Sequence, residues 1–465
     1  MSPQRTLAIV GAGFSGTLVA ANLLRSQHWA TTRIVLIERS HEIARGKAYA
    51  NREYPYLLNV PAGRMSAHPS SPLDFLTFAQ QRIPGATAED FLPRALYGDY
   101  LEATLLDAEV SAPPHVQFER LRDTVLGIEG SDLGYRLQLT DGNTLDADDV
   151  VLALGNPPPT ELPGTEGLER YIADPWAQPL SFRRGETVLL VGNSLTMADI
   201  AIAGAASVHE QIVVHSISRH GLVPPSQTAF SQAGCKGDSA SLLRAASFSA
   251  RTLFQRAREL AEETELQGGD WREAVTFIRN IAPALWQRLP AREKRRLLRH
   301  VRPYWDVHRH RLPAETLAKL AHLRHHHKLH VHAGRLLAFE AIGDQIRVTW
   351  RPRGGRKARA LLVDRVVNCT GPDYNVRRSR EPLIRSLLTQ GLAVPDAHRL
   401  GIRTGAYGAL IDVRGRAATN LFYVGPMLRA DHWEATAAHE LRGHAEQLAG
   451  YLAAPVGRLR AVAGA

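Results

Sequence analysis

The sequence predicts an α/β fold of two similar halves carrying a helical insertion, on three observations. An apolar strand, a glycine turn and a helix open the chain over residues 7–24. The same order recurs from residue 187. Both copies then run into a small β-hairpin and an apolar strand that closes on a glycine, Gly155 or Gly371. The 465 residues exceed what one hydrophobic core ordinarily organises. The composition, 44% hydrophobic and 22% charged, is that of a globular chain.

The first copy reads "TLAIVGAGFSGTLVAANLLRSQHWATTRIVLIERS". Residues 7–10 are a buried strand, and Val19, Leu23 and Leu24 give the next stretch helical spacing. Residues 34–37 form a second strand ending at Glu38. Gly11, Gly13 and Gly16 spell G-x-G-x-x-G. The first permits a tight turn, the second a close approach of backbone to a pyrophosphate, and the third helix packing on the strand. Phe14 and Ser15 lie in the first helical turn, whose free N–H groups and dipole favour phosphate. Glu38, 22 residues after Gly16, stands where a carboxylate binds ribose hydroxyls. Together these predict a Rossmann-like dinucleotide-binding domain.

The second copy reads "TVLLVGNSLTMADIAIAGAA", then "QIVVHSISRHG". Gly192, Asn193, Ser194, Leu195 and Thr196 form its turn, with serine where a middle glycine is expected. The third position is Met197 or Ala198, depending on register. A helix capped by Asn193 or Ser194 without any ligand is the alternative. The following strand ends on Arg219 and His220 rather than an acid. Arginine suits a 2′-phosphate, which favours NADPH and leaves NADH open.

Residues from about 236 to 330 are helix-rich and interrupt the second copy after its second strand. The stretch "NLFYVGPMLRADHWEATAAHELRGHAEQLAGYL" reads as strand, glycine turn and helix, returning to the first domain. The domains are therefore expected at 1–175 with 366–465 (FAD) and at 180–365 (NAD(P)), each with a small β-meander. Prolines at 157–159 and 163 mark the linker region.

The net charge of +10 attracts anions. Without zinc-finger spacing or an aromatic RNA-binding motif, a dinucleotide or an anionic small molecule is expected rather than nucleic acid. Cys235 and Cys369 are far apart, which argues against a disulfide framework and fits a reducing cytoplasm. No Cys-x-x-Cys, G-x-S-x-G or P-loop occurs, so dithiol, hydrolase and kinase chemistry lack support. The apolar N-terminal run carries three spaced glycines and is read as the turn, not a signal peptide. No membrane span is expected. In "RPYWDVHRHRLP", His308 and His310 are two apart and diverge on a helix, so no metal ligands are assigned. That segment is either an anion-binding rim or a solvated basic helix end. Asp431, His432, Trp433 and Glu434 receive no acid–base role, and no catalytic side chain is assigned.

The ordered motifs "GAGFSG", "LLNVPAGRMSAHPSSPLDF", "PRALYGDYL", "VGNSLTMAD", "SRHGLVP", "YWDVHRHR", "NCTGP" and "GPMLRADHWEATAAHELRGHA" span nearly the whole chain. With them the sequence resembles FAD/NAD(P)-binding oxidoreductases with two dinucleotide-binding domains, related to flavin monooxygenases. The closest characterised activity is FAD-dependent urate hydroxylation. The resemblance implies that Gly11, Gly13, Gly16 and Glu38 hold the ADP moiety of FAD. It places residues 59–66 along the flavin, including Met65, with Arg64 and Ser66 as polar contacts. Arg94, Tyr97 and Tyr100 support the same domain. Gly425 and Pro426 lie near the flavin end, followed by a helix N-terminus. It also implies a monooxygenase that takes NADPH or NADH and molecular oxygen. A flavin C4a-(hydro)peroxide would hydroxylate a small polar or anionic substrate, urate being the best single guess. Two alternatives stay open: a flavin reductase or dehydrogenase that inserts no oxygen, and a non-catalytic redox or nucleotide sensor.

Overall fold

The computed structural model describes residues 5–26, 31–131, 134–227 and 249–454. Cys235 and residues 236–248 of the expected insertion lie outside them. The chain divides into two compact units. One comprises Met1–Arg52, Val60–Pro157 and Tyr374–Ala465; the other, Glu53–Asn59 and Pro158–Asp373. The first boundary falls after Pro157 rather than at 175, because strand Tyr171–Ile172 pairs with Val366 and Val367 of the second unit.

The first unit is built on a six-stranded sheet. Its order is Ala409–Ile411, Ala417–Tyr423, Asp149–Leu152, Arg5–Val10, Thr32–Glu38 and Val116–Arg122. All neighbours are parallel except the first pair. A parallel sheet covered on both faces needs strands that are apolar throughout, which "LAIV", "IVLI" and "VVL" supply. Leu7, Ile9, Ile34 and Leu36 are at most 1% exposed. Each such burial contributes about 1.5–3 kcal/mol. Helix Phe14–Leu24 packs against helices Arg94–Val110 and Ala438–Ala453. Ala8, Val10, Val35 and Ile37 join a core with Ile128, Leu137 and Leu145, from the antiparallel sheet Val125–Ser131, Gly134–Leu139 and Thr144–Ala147. The C-terminal strand does return to this unit, as residues Leu421–Tyr423 pair with Val150–Leu152.

The second unit has a seven-stranded sheet. Its order is Arg359–Val363, Gln345–Pro352, Leu329–Ile342, Ile212–Ser218, Glu186–Val191, Arg365–Asn368 and Tyr171–Ile172. Here a single 14-residue strand, Leu329–Ile342, does two jobs. Its first half pairs parallel with Ile212–Ser218, and its second half antiparallel with Gln345–Pro352. A register shift between Leu336 and Ala338 accompanies the antiparallel half. Between strands Ile212–Ser218 and Leu329–Ile342 stand helices Ala250–Leu266, Trp271–Arg288, Ala291–Arg296, Arg302–Arg309 and Ala314–His325. Two begin at sequence-local caps. Ser249 Oγ accepts from the Thr252 N–H at 3.0 Å, and the Asp270 carboxylate from the Arg272 N–H at 2.7 Å.

Candidate functional site

The two glycine turns make the same backbone hydrogen bonds, each within its own unit. The Gly11 N–H donates to the Ile37 carbonyl and the Gly192 N–H to the Ile217 carbonyl, both at 2.8 Å. The next parallel strand closes behind each turn, Ala153 N–H to Val10 O at 2.8 Å and Cys369 N–H to Val191 O at 2.9 Å. Gly11 has φ +101° and Gly192 φ +120°, a region that disfavours side chains. A methyl group on Gly11 would strike the Ala153 carbonyl, and one on Gly192 the Cys369 carbonyl. Gly155 and Gly371, at the ends of the closing strands, also have positive φ with open space in front.

The middle position does not share this requirement. Gly13 has φ −75° and ψ −164°; Ser194 has φ −101° and ψ −156°. Both are extended residues that precede the helix, which starts at Phe14 or Leu195. Serine therefore fits without strain, and its hydroxyl makes no capping bond to its own helix. The register puts Met197, not Ala198, opposite Gly16. A methyl group on Gly16 would overlap the Gly11 carbonyl. Met197, fully buried, instead joins the core beneath helix Leu195–Ser207.

Could the first turn hold FAD? Gly13 faces Gly46, and a Cβ added to Gly13 would meet only Gly46 backbone, Cα at 3.5 Å and N at 3.9 Å, so among the described residues no side chain floors the slot. Ser15 and Gly16 continue the first helical turn, where N–H groups have no carbonyl behind them. Glu38 is fixed by two backbone donors, Ala12 N–H at 2.8 Å and Ser40 N–H at 3.0 Å. Its carboxylate keeps further acceptor capacity for a ribose diol. Among the described residues the fully buried Tyr97 hydroxyl has no hydrogen-bond partner, and its ring stacks 6.3 Å from Phe14. These features fit the cofactor.

The second turn fits a dinucleotide too, with different side chains. Asn193 takes the place of Ala12, is 4% exposed, and has both amide atoms without a partner among the described residues. A buried amide left unmade costs about 1–3 kcal/mol, which a ligand contact offsets. Leu195 and Thr196 form the first helical turn. At the strand end, the Gly192–Ile217 bond puts Ser218 at the place of Glu38, and Arg219 follows one residue later. The Ser218 hydroxyl accepts from the Gly221 N–H at 3.0 Å. His220 contacts Arg353, whose Nη1 lies 2.8 Å from His220 Nδ1. Burial, then Arg353 and Arg219, lower the His220 pKa below the ordinary histidine value.

Other expected contacts fall differently. Ser66 is buried, and its hydroxyl is used locally, bonding the carbonyls of His68 and Ser71 and accepting the His68 N–H. Met65 is buried beside it, and Arg64 is exposed at the end of the 3-10 turn Ala62–Arg64. Tyr100 accepts the Ala67 N–H and donates to Asp74, both at 2.7 Å. Gly425 has φ +145° and precedes a short 3-10 helix, Pro426–Ala430, rather than an α-helix. The helix begins only at Ala438, so Asp431 and Glu434 neither cap it nor occupy its first turn. Asp431 instead accepts the Thr404 N–H at 2.9 Å. Buried Cys369 is held as the thiol, because burial raises its pKa.

One pair of functional residues was missed. Asp148 accepts the Thr6 N–H and Asp364 the Thr187 N–H, each at 2.7 Å, tying each closing strand to the strand that carries the turn. Their signal was present: "DDVVLALG" and "DRVVNCTG" share aspartate, paired valines and a terminal glycine at equal spacing.

Residues 8–157 match the model of an FAD-NAD(P)-binding family. No curated protein matches the sequence. Among solved structures, the chain is similar to an ornithine N-hydroxylase from Kutzneria sp. 744 with FAD, NADP+ and L-ornithine. That match has 16% identity and TM-score 0.63, covering 99% of this chain and 100% of that one. Ornithine hydroxylase from Pseudomonas aeruginosa matches at 13% identity and TM-score 0.62, covering 97% and 99%. L-lysine 6-monooxygenase from Pseudomonas syringae matches at 16% and 0.61, covering 99% of each. At these identities the likeness establishes the fold, an α/β chain with two dinucleotide-binding units.

Proposed function

We propose that this protein is a flavin-dependent monooxygenase that binds FAD at Gly11–Gly13–Gly16 and a nicotinamide dinucleotide at Gly192–Ser194. The observation that carries this reading is the duplicated turn, with one backbone geometry and two different sets of side chains. FAD, when bound, supplies two-electron chemistry and oxygen activation. The residues of the chain bind and orient. Gly13 and the first turn of the helix take the pyrophosphate, with Phe14, Ser15 and Gly16 around it. The Glu38 carboxylate takes the adenosine ribose, held in place by Ala12 and Ser40. Gly155 leaves the closing strand open beside the slot, and Gly425 and Pro426 turn the chain at the far strand end. In the second unit, Gly192, Asn193, Leu195 and Thr196 receive the second pyrophosphate, and Gly371 matches Gly155.

The substrate in this reading is a small polar molecule. The structural neighbours act on ornithine and lysine, and the sequence resemblance points to urate, so these three form the first panel. Purified, FAD-loaded protein is mixed anaerobically with NADPH or NADH and its flavin absorbance followed. Oxygen uptake and a gain of one oxygen in the product are then measured with each compound. Bleaching, followed by product formation with one of them, supports the monooxygenase. Bleaching with no oxygenated product from a broad panel favours the reductase reading. No bleaching with either nucleotide refutes both.

A further inference from the structure

Two strand ends of the second unit bring two arginines close to one histidine, His220. Ile212–Ser218 delivers Arg219 and His220. Gly221 turns the chain with φ +68°, and a Cβ there would lie 2.8 Å from the Ala333 Cβ, so the backbone is pressed against the neighbouring strand. The Ala333 carbonyl accepts the Arg353 N–H at 2.8 Å, one residue past strand Gln345–Pro352. Arg353 is thus fixed twice, through its backbone to Ala333 and through Nη1 to His220 Nδ1. The Tyr304 ring lies 5.6 Å from the His220 ring, on its own element, helix Arg302–Arg309. Among the described residues neither Arg219 nor Arg353 has an ion-pair partner.

The proton inventory of this cluster is directional. Arginine has donors only, so His220 Nδ1 must be the acceptor of their bond. The imidazole then carries its proton on Nε2. His220 thus feels two guanidinium charges, Arg353 in contact and Arg219 next to it in the chain. Two guanidiniums and one N–H donor, with no carboxylate paired to either arginine among the described residues, suit a dianion. The cluster stands at the carboxyl end of a parallel strand, beside the turn at Gly192, where the ribose of a dinucleotide is read.

We propose that Arg353, His220 and Arg219 form a clamp for the 2′-phosphate of NADPH, and that Arg353 is its main specificity determinant. The proposal rests on the reading of Gly192–Ser194 as a nicotinamide dinucleotide site. Arg353 reaches the clamp from the antiparallel hairpin, outside the strand–turn–helix unit that carries the turn.

The test measures equilibrium binding of NADPH, NADH, 2′,5′-ADP and 5′-ADP to the FAD-loaded full chain by calorimetry, independent of turnover. Arg353→Ala is expected to weaken NADPH and 2′,5′-ADP about ten- to a hundredfold, and to leave NADH and 5′-ADP within twofold. Arg353→Lys, which keeps the charge and loses the fork, should recover part of the loss. His220→Asn should give a smaller loss on the same two ligands. Equal losses on all four ligands, or no loss on any, would overturn the clamp. So would a wild-type protein that binds NADH as tightly as NADPH. If wild-type protein binds none of the four, the reading of the turn fails instead. If Arg353→Ala does not fold, Arg353→Lys carries the comparison.

Discussion

Replacing Gly11 or Gly192 by alanine gives a matched pair of perturbations with opposite expected targets. In Gly192→Ala the new methyl would lie 2.8 Å from the Cys369 carbonyl carbon, on a backbone with φ +120°. In Gly11→Ala it would lie 3.0 Å from the Ala153 carbonyl carbon, with φ +101°. Holding a non-glycine residue in such a region costs about 1–3 kcal/mol. Each turn has two responses. It keeps its shape and the protein loses that stability, or it relaxes, the helix N-terminus moves, and ligand affinity falls. A cost of about 1–3 kcal/mol equals roughly five- to 150-fold in a binding constant. Gly192→Ala should therefore retain FAD and weaken NADPH within that range, while Gly11→Ala should purify depleted of FAD. Flavin absorbance per mole of protein, NADPH titration and a melting curve together separate the two responses. Wild-type melting and wild-type affinity in Gly192→Ala would refute the reasoning, as would loss of FAD from that variant with NADPH binding intact.

Ser194→Gly should change NADPH affinity by no more than about twofold, because the serine already sits at negative φ; a tenfold loss in titration would show that its hydroxyl is a principal phosphate contact. Tyr97→Phe removes a buried hydroxyl that has no partner among the described residues, so the FAD-free protein should melt at an equal or higher temperature. If the hydroxyl contacts FAD, the same variant should bind FAD about fivefold or more weakly. Asp364→Ala removes the bonds to the Thr187 N–H and the Gln345 amide and should cost about 1–3 kcal/mol in denaturant titration. Burial pushes His215 and His444 down to about 4, from an unfolded value near 6.5. The unfolded chain therefore takes up protons that the fold refuses, so stability is full above pH 6.5 and falls as the pH drops towards 4. Melting temperatures across that window should decline less steeply in His444→Gln than in the parent.

What the sequence disclosed depended on whether the physics was local. Gly11 and Gly192 were legible because a positive φ demands glycine at that one position. The strands were legible because burial on both faces leaves an unbroken apolar run. Ser194 was ambiguous because the letters do not reveal φ, and its extended conformation settles whether serine fits. The third position depended on register, which the helix starts at Phe14 and Leu195 resolve in favour of Met197. The register of the second strand needed a non-local bond, Gly192 to Ile217, to show that Ser218 and not Arg219 matches Glu38. The helix after Gly425 is split in two, a 3-10 turn of helix over Pro426–Ala430 and an α-helix that starts only at Ala438, a break the letters do not mark. Arg353 could not be read at all. Its meeting with His220 follows from the order of three strands, not from any spacing along the chain.

The comparison between the two turns also argues for how one chain would keep two dinucleotides apart. The backbones match through the glycine, the extended residue, the helix start and the aspartate that ties the closing strand. Discrimination must then come from the side chains at the second strand end. At the first turn that end carries the Glu38 carboxylate, bonded to Ala12. Its charge would repel a 2′-phosphate and accept the free hydroxyls of the FAD ribose. At the second turn Ser218 replaces the acid, and Arg219 and Arg353 reverse the sign of the local charge. A phosphorylated ribose would be attracted there. In the proposed reading, one backbone pattern with the sign of charge reversed at its second strand end would be enough to sort the two cofactors. Moving that charge, rather than remodelling either turn, is the smallest change that would make the sites compete.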